Sequence, residues 1–526
     1  MMENRRYPVG IQTFSEIIRG GYIYVDKTDL LWHMQDYAKF IFLSRPRRFG
    51  KSLLSSTLHS FFACERELFQ GLKIMQLEKE WKQYPVLHLD MSLLKSKDNA
   101  EELSRSLRLH LSRINQFGEN PLEITPGEML EGIIRRVYQQ TGMQVVVIVD
   151  EYDAPLLEVL HEDQNLEDMR KVMQELYQPL KACESMIKFC FITGITKFSQ
   201  LSIFSTLNNL TNISLLPEFS AICGITEQEV SKVFAEDIHR LAELFGCSDD
   251  EMFLKIKNSY DGYHFASRSE DIYNPYSLLN AFKNGELNNY WFATGTPTFL
   301  IRKMKELQTD ITLMDDIEAP SSAFDQPTEN MHDALPLLYQ SGYLTIKGFD
   351  VESQIYTLSI PNKEVRVGFA DGLLPAYTGL KGSEVQTGFA LKFWRALKQN
   401  DVDLALREMQ SYLAGIPYVE GFKQKLQDAA TAEGFYEYTL YLIFSMLNAY
   451  VKTQVKCAGG RIDMVVYMPD TIYILELKTR GTAEEALRQI VDKDYAVPYM
   501  TDNRKVIKVG LKFDVTTRTL ENWVIE

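Results

Sequence analysis

Val145-Val146-Val147-Ile148-Val149 is an unbroken run of β-branched residues, and it constrains the fold more than any other stretch of the chain. β-Branched side chains stiffen an extended backbone, and a strand apolar on both faces has to be covered on both. The run predicts a central parallel strand between layers of helix, since a half-solvated antiparallel strand would alternate apolar with polar. It ends in Asp150-Glu151, which places two carboxylates at the edge of a buried sheet.

A second apolar run, Phe40 to Leu43, leads into Arg45-Pro46-Arg47-Arg48-Phe49-Gly50-Lys51-Ser52. This reads as a phosphate-gripping loop between strand and helix. Its ending supplies backbone N–H groups for the phosphates, an ammonium for the β and γ oxygens and a hydroxyl for Mg2+. Arg47, Arg48, Phe49, Gly50, Lys51 and Ser52 are the candidate nucleotide contacts. Asp150 would share the Mg2+ shell with Ser52, and Glu151 would orient the attacking water. The glycine that usually opens such a loop is replaced by Arg45, and Pro46 brings no N–H, so the loop is a variant. A core strand with solvated acids at its end accounts equally well for the Val145 run alone. The two motifs together point to ATP and Mg2+, with Mn2+ as a substitute.

Strands expected at Tyr22 to Val25, Phe40 to Leu43, Val86 to Leu89, Val145 to Val149 and Ile187 to Ile192 alternate with amphipathic stretches. The latter are Leu53 to Phe62, Ala100 to Phe117, Glu128 to Gln140 and Leu166 to Ala182, and the alternation means a mostly parallel, doubly covered sheet. Thr193-Gly194 closes the last strand. There Thr193 would sense the γ-phosphate and Lys197 would stabilise charge, with a plain turn as the equal alternative. From Thr226 the chain reads as a helical lid, Glu229 standing where a capping box wants its acid. The aromatic segments Tyr260 to Phe265, Tyr273 to Tyr276 and Tyr290 to Phe292 read as core before base-stacking surface. Asp333 to Ile346 followed by Ile355 to Ser359 suits a winged-helix-like module.

The last hundred residues hold a second chemical centre. A helix at Glu433 to Leu447 precedes Thr453 to Lys456, then Gly459-Gly460-Arg461-Ile462-Asp463, a turn at Pro469-Asp470, and Thr471 to Leu475 rising into Glu476-Leu477-Lys478. Asp463 and Glu-x-Lys then fall on neighbouring strands of a hairpin, with Glu476 and Lys478 on one face. Two carboxylates for Mg2+ and an ammonium near the developing charge are what metal-dependent phosphodiester hydrolysis requires. An ordinary hairpin with a cross-strand acid is the plain alternative.

With Pro8-Val9-Gly10-Ile11-Gln12, Tyr24-Val25-Asp26-Lys27-Thr28, Val149 to Asp153, Gly194-Ile195-Thr196-Lys197-Phe198-Ser199, Tyr260-Asp261-Gly262-Tyr263 and Asn274-Pro275-Tyr276-Ser277, these segments make the chain resemble the bacterial AAA-ATPase-like proteins that carry a C-terminal PD-(D/E)XK nuclease-like domain. The resemblance spans most of the chain, and it implies that Arg-Pro-Arg-Arg-Phe-Gly-Lys-Ser is that family's own form of the loop. It also implies Asp463 and Glu476 as metal ligands, Lys478 as the catalytic lysine, and Glu433 or Glu437 as a further acid. Gln489 and Lys493 match the family's later Gln-x-x-x-Lys element. The expected fold is α/β and multidomain. A P-loop, AAA-like parallel-sheet ATPase core spans 1–225, a helical and winged-helix-like middle 226–385, and a PD-(D/E)XK α/β nuclease-like domain 386–526.

Composition sets the remaining bounds. The 526 residues have room for several domains, and the six cysteines form no C-x-x-C pair that would mark a zinc site. No leader-like h-region and no apolar run long enough for a bilayer are present, so the expectation is a cytoplasmic protein without a membrane partner. A net charge of -15 argues against bulk coating of nucleic acid. From residue 431 onward, however, twelve Lys and Arg nearly balance thirteen Asp and Glu, so a nucleic acid, DNA ahead of RNA, would meet a local surface. Homo-oligomerisation stays open. The reading is of an ATP-binding, ATP-hydrolysing protein coupled to metal-dependent phosphodiester cleavage of nucleic acid: nucleotide controls where or when the C-terminal site cuts, through reorientation of the domains. The alternatives are a nucleotide-gated switch whose nuclease-like domain only binds, and an ATPase remodeller.

Overall fold

The computed structural model describes residues 5–95, 99–157, 159, 163–196, 207, 209–293, 298–325, 333–378, 383–415, 429–447, 449–517 and 519–526. The chain divides into two compact units, 1–309 with 317–362, and 310–316 with 363–526. The helix Lys363–Thr378, counted with the middle region in the sequence reading, falls in the second.

The first unit is built on a five-stranded parallel sheet. Its strands are β1 (Phe40–Ser44), β2 (Val86–Asp90), β3 (Val145–Asp150), β4 (Ile187–Gly194) and β5 (Thr211–Asn212), in the order β2-β3-β4-β1-β5. The Val145 run is buried at every position, as a central strand requires. β4 lies between the loop strand and the acid strand, pairing Thr193 with Leu43 and Ile192 with Val149. The ends of β1, β4 and β3 therefore stand side by side at one edge. Helices at Lys51–Phe62, Ala100–Ile114, Pro126–Thr141 and Asp163–Ala182 match the expected ones to within a few residues. Val145, Val147 and Val149 share one cluster with the last three of these helices. The strand expected at Tyr22 to Val25 does not form: the segment is extended but pairs with no sheet strand, and the Ile23 N–H bonds instead to Arg6.

Helices Glu227–Val233, Ala235–Phe245, Asp249–Tyr260 and Pro275–Asn284 pack around Val230, Phe234, Leu241, Tyr260 and Phe282 as the expected helical lid. Thr226 and Glu229 form the reciprocal capping box. A short ribbon of β6 (Ile225–Thr226) and β7 (Ile272–Tyr273) closes this layer. Tyr260, Tyr263 and Tyr273 are fully buried, so most of the aromatic segments are core. The helix Leu335–Ser341 then meets an antiparallel sheet of β8 (Ile317–Pro320), β9 (Thr345–Asp350) and β10 (Ile355–Ser359), a winged-helix-like arrangement.

The second unit carries a mixed sheet in the order β11-β12-β13-β14-β15, made of Tyr450–Cys457, Gly460–Tyr467, Thr471–Lys478, Lys505–Asp514 and Thr519–Ile525. β13 and β14 are parallel and the other pairs antiparallel. The helix Ala483–Asp492 makes the crossover that a parallel pair needs, opened by a Thr482–Glu485 capping box. The helix Ala429–Met446 packs on the sheet from before β11.

Candidate functional site

The phosphate loop turns on two left-handed residues, Arg48 at φ 68° and Gly50 at φ 95°. A Cβ at Gly50 would meet nothing within 4 Å, so conformation and not space calls for glycine there. Gly50 gives the helix Lys51–Phe62 no side-chain cap, which leaves the N–H groups of its first turn for another acceptor. The Lys51 side chain is buried, and its Nζ donates to the carbonyls of Arg45 at 2.9 Å and Pro46 at 3.0 Å. Burial pulls its pKa down, and the nearby charges of Glu151, Asp150 and Asp153 pull it back up.

Arg45, the residue in place of the usual glycine, faces inward. It is buried and donates to the carbonyls of Ser44, Ser214 and Phe219 at 2.8 to 3.1 Å, and it stacks on Phe265. Its guanidinium thus fixes the root of the loop from below. Pro46 packs against Gly342, where a Cβ would come within 2.6 Å of its ring. Phe49 anchors the tip, its ring buried edge-on to Tyr263 and Phe265. Arg47 and Arg48 have exposed side chains; the Arg47 carbonyl accepts from the Trp291 indole, and Arg48 lies over Tyr276.

The acids come from the end of β3, one strand removed from the loop strand β1. Asp150 is buried, and burial pushes it up to about 6 against the pull of a hydrogen bond from Ser52 and of the Lys51 charge. Glu151, at φ 50°, is paired with Lys95 at 2.7 Å. Thr193 is fully buried, and its hydroxyl donates to the Leu43 carbonyl, so in this state it ties β4 to β1. Lys197 lies outside the described residues. Asp153 was missed as an individual group: one carboxylate oxygen accepts from the N–H groups of Ile195 and Thr196 and from the Thr196 hydroxyl, clamping the segment after β4 to the end of β3. No local signal marks it, because its partners are remote in sequence.

Beside Gly50 lies a mostly apolar cavity of about 100 Å³, lined by Tyr24, Val25, Phe49, Leu53, Ile222 and Leu279 among others. The N-terminal segment that forms no strand is one of its walls. Lys27 at its rim is ion-paired to Glu229 of the helical layer.

In the second unit, the β12–β13 ladder ends at Met464–Leu475, and there the strands part to admit side chains. Beyond that pair the Asp463 carboxylate accepts the Leu477 N–H at 2.8 Å. Glu476 is buried; one of its oxygens accepts from Lys478 at 3.3 Å and from the Gln489 amide, and the other is buried without a protein partner. Lys478 also donates to the Gln489 carbonyl at 2.7 Å. Burial and the facing Asp463 push Glu476 up to about 7, and Asp463 is itself raised by burial. From the helix Ala429–Met446, Glu437 is held by Gln454 at 2.9 Å and pushed up to about 7 by burial, while Glu433 is raised by burial and then by Asp463. Lys493 is exposed at the end of its helix, and no contact joins it to these groups.

Among the described residues, no three His, Cys, Asp or Glu side chains converge as a ready metal cage. The donors that do converge are carboxylate oxygens: Glu476 and Asp463 lie close enough to shift one another, and one Glu476 oxygen is buried without a hydrogen-bond partner among the described residues, a set that fits a hard divalent cation completing its shell with water and substrate. Ser52 and Asp150, linked by their hydrogen bond, offer the same chemistry at the phosphate loop.

Comparison with known proteins agrees with this division. Residues 8–204 match the family described as Predicted AAA-ATPase, and residues 431–523 match the PD-(D/E)XK nuclease superfamily. An uncharacterized protein in the vnfD 5′ region of Azotobacter chroococcum mcd 1 is 32% identical over 536 residues, covering 100% of this chain and 99% of that protein. No helix among the described residues is long and apolar enough to cross a membrane.

Proposed function

This chain belongs to the AAA-ATPase-like family whose members carry a C-terminal PD-(D/E)XK nuclease-superfamily domain, and on that footing we propose that it hydrolyses ATP and cleaves nucleic acid, DNA ahead of RNA, under the control of its nucleotide state. The observation that carries the reading is Lys51: a buried ammonium that, among the described residues, hydrogen-bonds to the Arg45 and Pro46 carbonyls of its own loop, beside an uncapped helix N-terminus. A buried cation so placed calls for a polyanion.

In this reading the base enters the cavity beside Gly50, and the phosphates take the first-turn N–H groups and the Lys51 ammonium from the loop carbonyls. Ser52 and Asp150 would hold Mg2+. Glu151, freed from Lys95, accepts the proton of the water that attacks the γ-phosphoryl group. In the second unit Asp463 and Glu476 would hold Mg2+ or Mn2+, with a further acid from Glu433 or Glu437. The cation would supply charge neutralisation and Lewis acidity at a phosphodiester. Lys478, aimed by Gln489, places its ammonium beside those acids, where charge builds on the cleaved phosphate.

Because no three acids converge as a ready cage among the described residues, a second reading stands beside the first, in which the nuclease-like domain binds nucleic acid or a partner without cutting and the ATPase acts as a switch or remodeller. The deciding experiment incubates purified protein with linear, circular and single-stranded DNA and RNA, with Mg2+ or Mn2+, with and without ATP, beside Asp463→Ala and Lys478→Ala. Cleavage by the wild type alone, altered by ATP, supports the proposal. ATP turnover without cleavage under any condition selects the switch.

A further inference from the structure

Gln454 has a backbone that its position in the sheet does not explain. It sits within β11, where residues should be extended, yet its φ is 51°. The β11–β12 ladder pairs Thr453 with Met464 and Val455 with Ile462, and the register position between them sets Gln454 against Asp463. An unbranched but bulky side chain in a left-handed conformation within a strand is strained, and such strain persists only where surrounding contacts hold it. The contact here is specific: the Gln454 amide nitrogen reaches both oxygens of Glu437 at 2.9 Å. The β12–β13 ladder gives way on the other side of Asp463 as well, so the sheet is opened on both flanks of one carboxylate.

We infer that Gln454 is a positioning residue for the nuclease-type site, and that the carboxylate it positions, Glu437 and not Glu433, is the third acid of that site. The inference rests on the metal-dependent reading proposed above and deepens it. A fork that donates to both oxygens of one carboxylate fixes the rotation of that carboxylate and leaves its outer lone pairs free for a cation. Glu433, one turn earlier on the same helix, has no such clamp in the structure. A purely structural amide would need neither the left-handed backbone nor the place opposite Asp463.

The left-handed φ supplies a test that separates positioning from structure. Glycine accepts this φ without strain but lacks the amide, so Gln454→Gly should match or exceed the wild-type melting temperature in chelator. If Gln454 positions Glu437, the same variant binds Mn2+ about ten-fold more weakly by titration calorimetry on the full-length protein, the scale on which outer-sphere partners act. Glu437→Gln should weaken Mn2+ binding at least as much, and Glu433→Gln should weaken it less than Glu437→Gln does. Wild-type affinity in Gln454→Gly, or a larger loss in Glu433→Gln than in Glu437→Gln, overturns the inference while Asp463→Ala still abolishes binding. Wild-type protein that binds no Mn2+ overturns the metal-dependent reading together with the inference built on it.

Discussion

The two sites of this chain use the same residue types in opposite electrical states. At the phosphate loop a buried lysine lies on main-chain carbonyls, and the two acids at the end of β3 are each engaged elsewhere, Asp150 bonded to Ser52 and Glu151 to Lys95. At the C-terminal site the lysine is bonded to one acid and a glutamine, while two carboxylates crowd each other and are raised. In the first arrangement the ammonium is hydrogen-bonded to carbonyls, with the carboxylates near it but not bonded to it, and phosphate would complete it. The second has an excess of carboxylate oxygen, and a metal ion would complete it. A Lys beside two acids therefore does not define a chemistry; what each group is already bonded to does.

The largest effects should come from the two lysines, and they should differ in kind. Lys51→Ala removes the charge-assisted contact to phosphate and should weaken ATP binding by roughly 100-fold, about 3 kcal/mol, with cleavage in the absence of ATP untouched. Lys478→Ala should leave ATP binding unchanged and lower cleavage by about 10² to 10³-fold, the range for one lost charge-stabilising donor. Fluorescent ATP titration and a cleavage assay on both variants check this. Loss of both activities in either variant would mean that the contrast between the sites is not local.

Arg45→Gly restores the usual loop sequence and should nevertheless do harm. It strands the buried carbonyls of Ser44, Ser214 and Phe219, and an unpaired buried group costs about 1–3 kcal/mol. A loss of roughly 3 kcal/mol or more in chemical denaturation is expected. Unchanged stability would show that the guanidinium is not what holds the loop root.

Legibility in the sequence followed the range of the interactions. The Val145 run, the Lys51 loop, the Thr226–Glu229 capping box and the Asp463 hairpin are written in contiguous residues, and each formed where periodicity and turn chemistry placed it. The failures have long-range causes. Tyr22 to Val25 has strand composition but is drawn off to line the cavity beside Gly50, and β5, at two residues, is too short to show a pattern. Arg45 looked like a defect in the motif because its partners, Ser214 and Phe219, lie far along the chain. Asp153 and Gln454 are one polar residue among many until the fold brings Thr196 and Glu437 to them.

The crowded acids also predict a pH dependence at the second site, on top of the one from Asp150 at the first. Glu476 titrates near 7 in the folded protein, against about 4.5 when unfolded. Between those values the folded state holds more protons than the unfolded one, so stability falls as pH rises through this window. Melting in chelator should show that decline from about pH 5 to 7.5, and Glu476→Gln should make it shallower, the raised Glu437 and Asp150 keeping part of it. Saturating Mn2+ should reverse the slope, because the cation favours the ionised acids. A flat profile in chelator would remove the claim that burial and the facing Asp463 hold Glu476 in its protonated form.

The smallest expected effect tests the resting state of the first site. The Lys95–Glu151 pair is partly exposed, at 42% and 27% of the side-chain surface, and such pairs contribute under about 1 kcal/mol. Lys95→Met should therefore leave the melting temperature almost unchanged and ATP affinity the same, since Lys95 lies on the segment after β2 and not in the loop. What it should change is turnover: with no partner to leave, Glu151 is free for the attacking water, and the maximal ATPase rate should rise by about two-fold without a change in KM. A fall in rate would give Lys95 the opposite role, holding Glu151 in its working position, and the strained φ of Glu151 would then belong to the active geometry and not to a resting one.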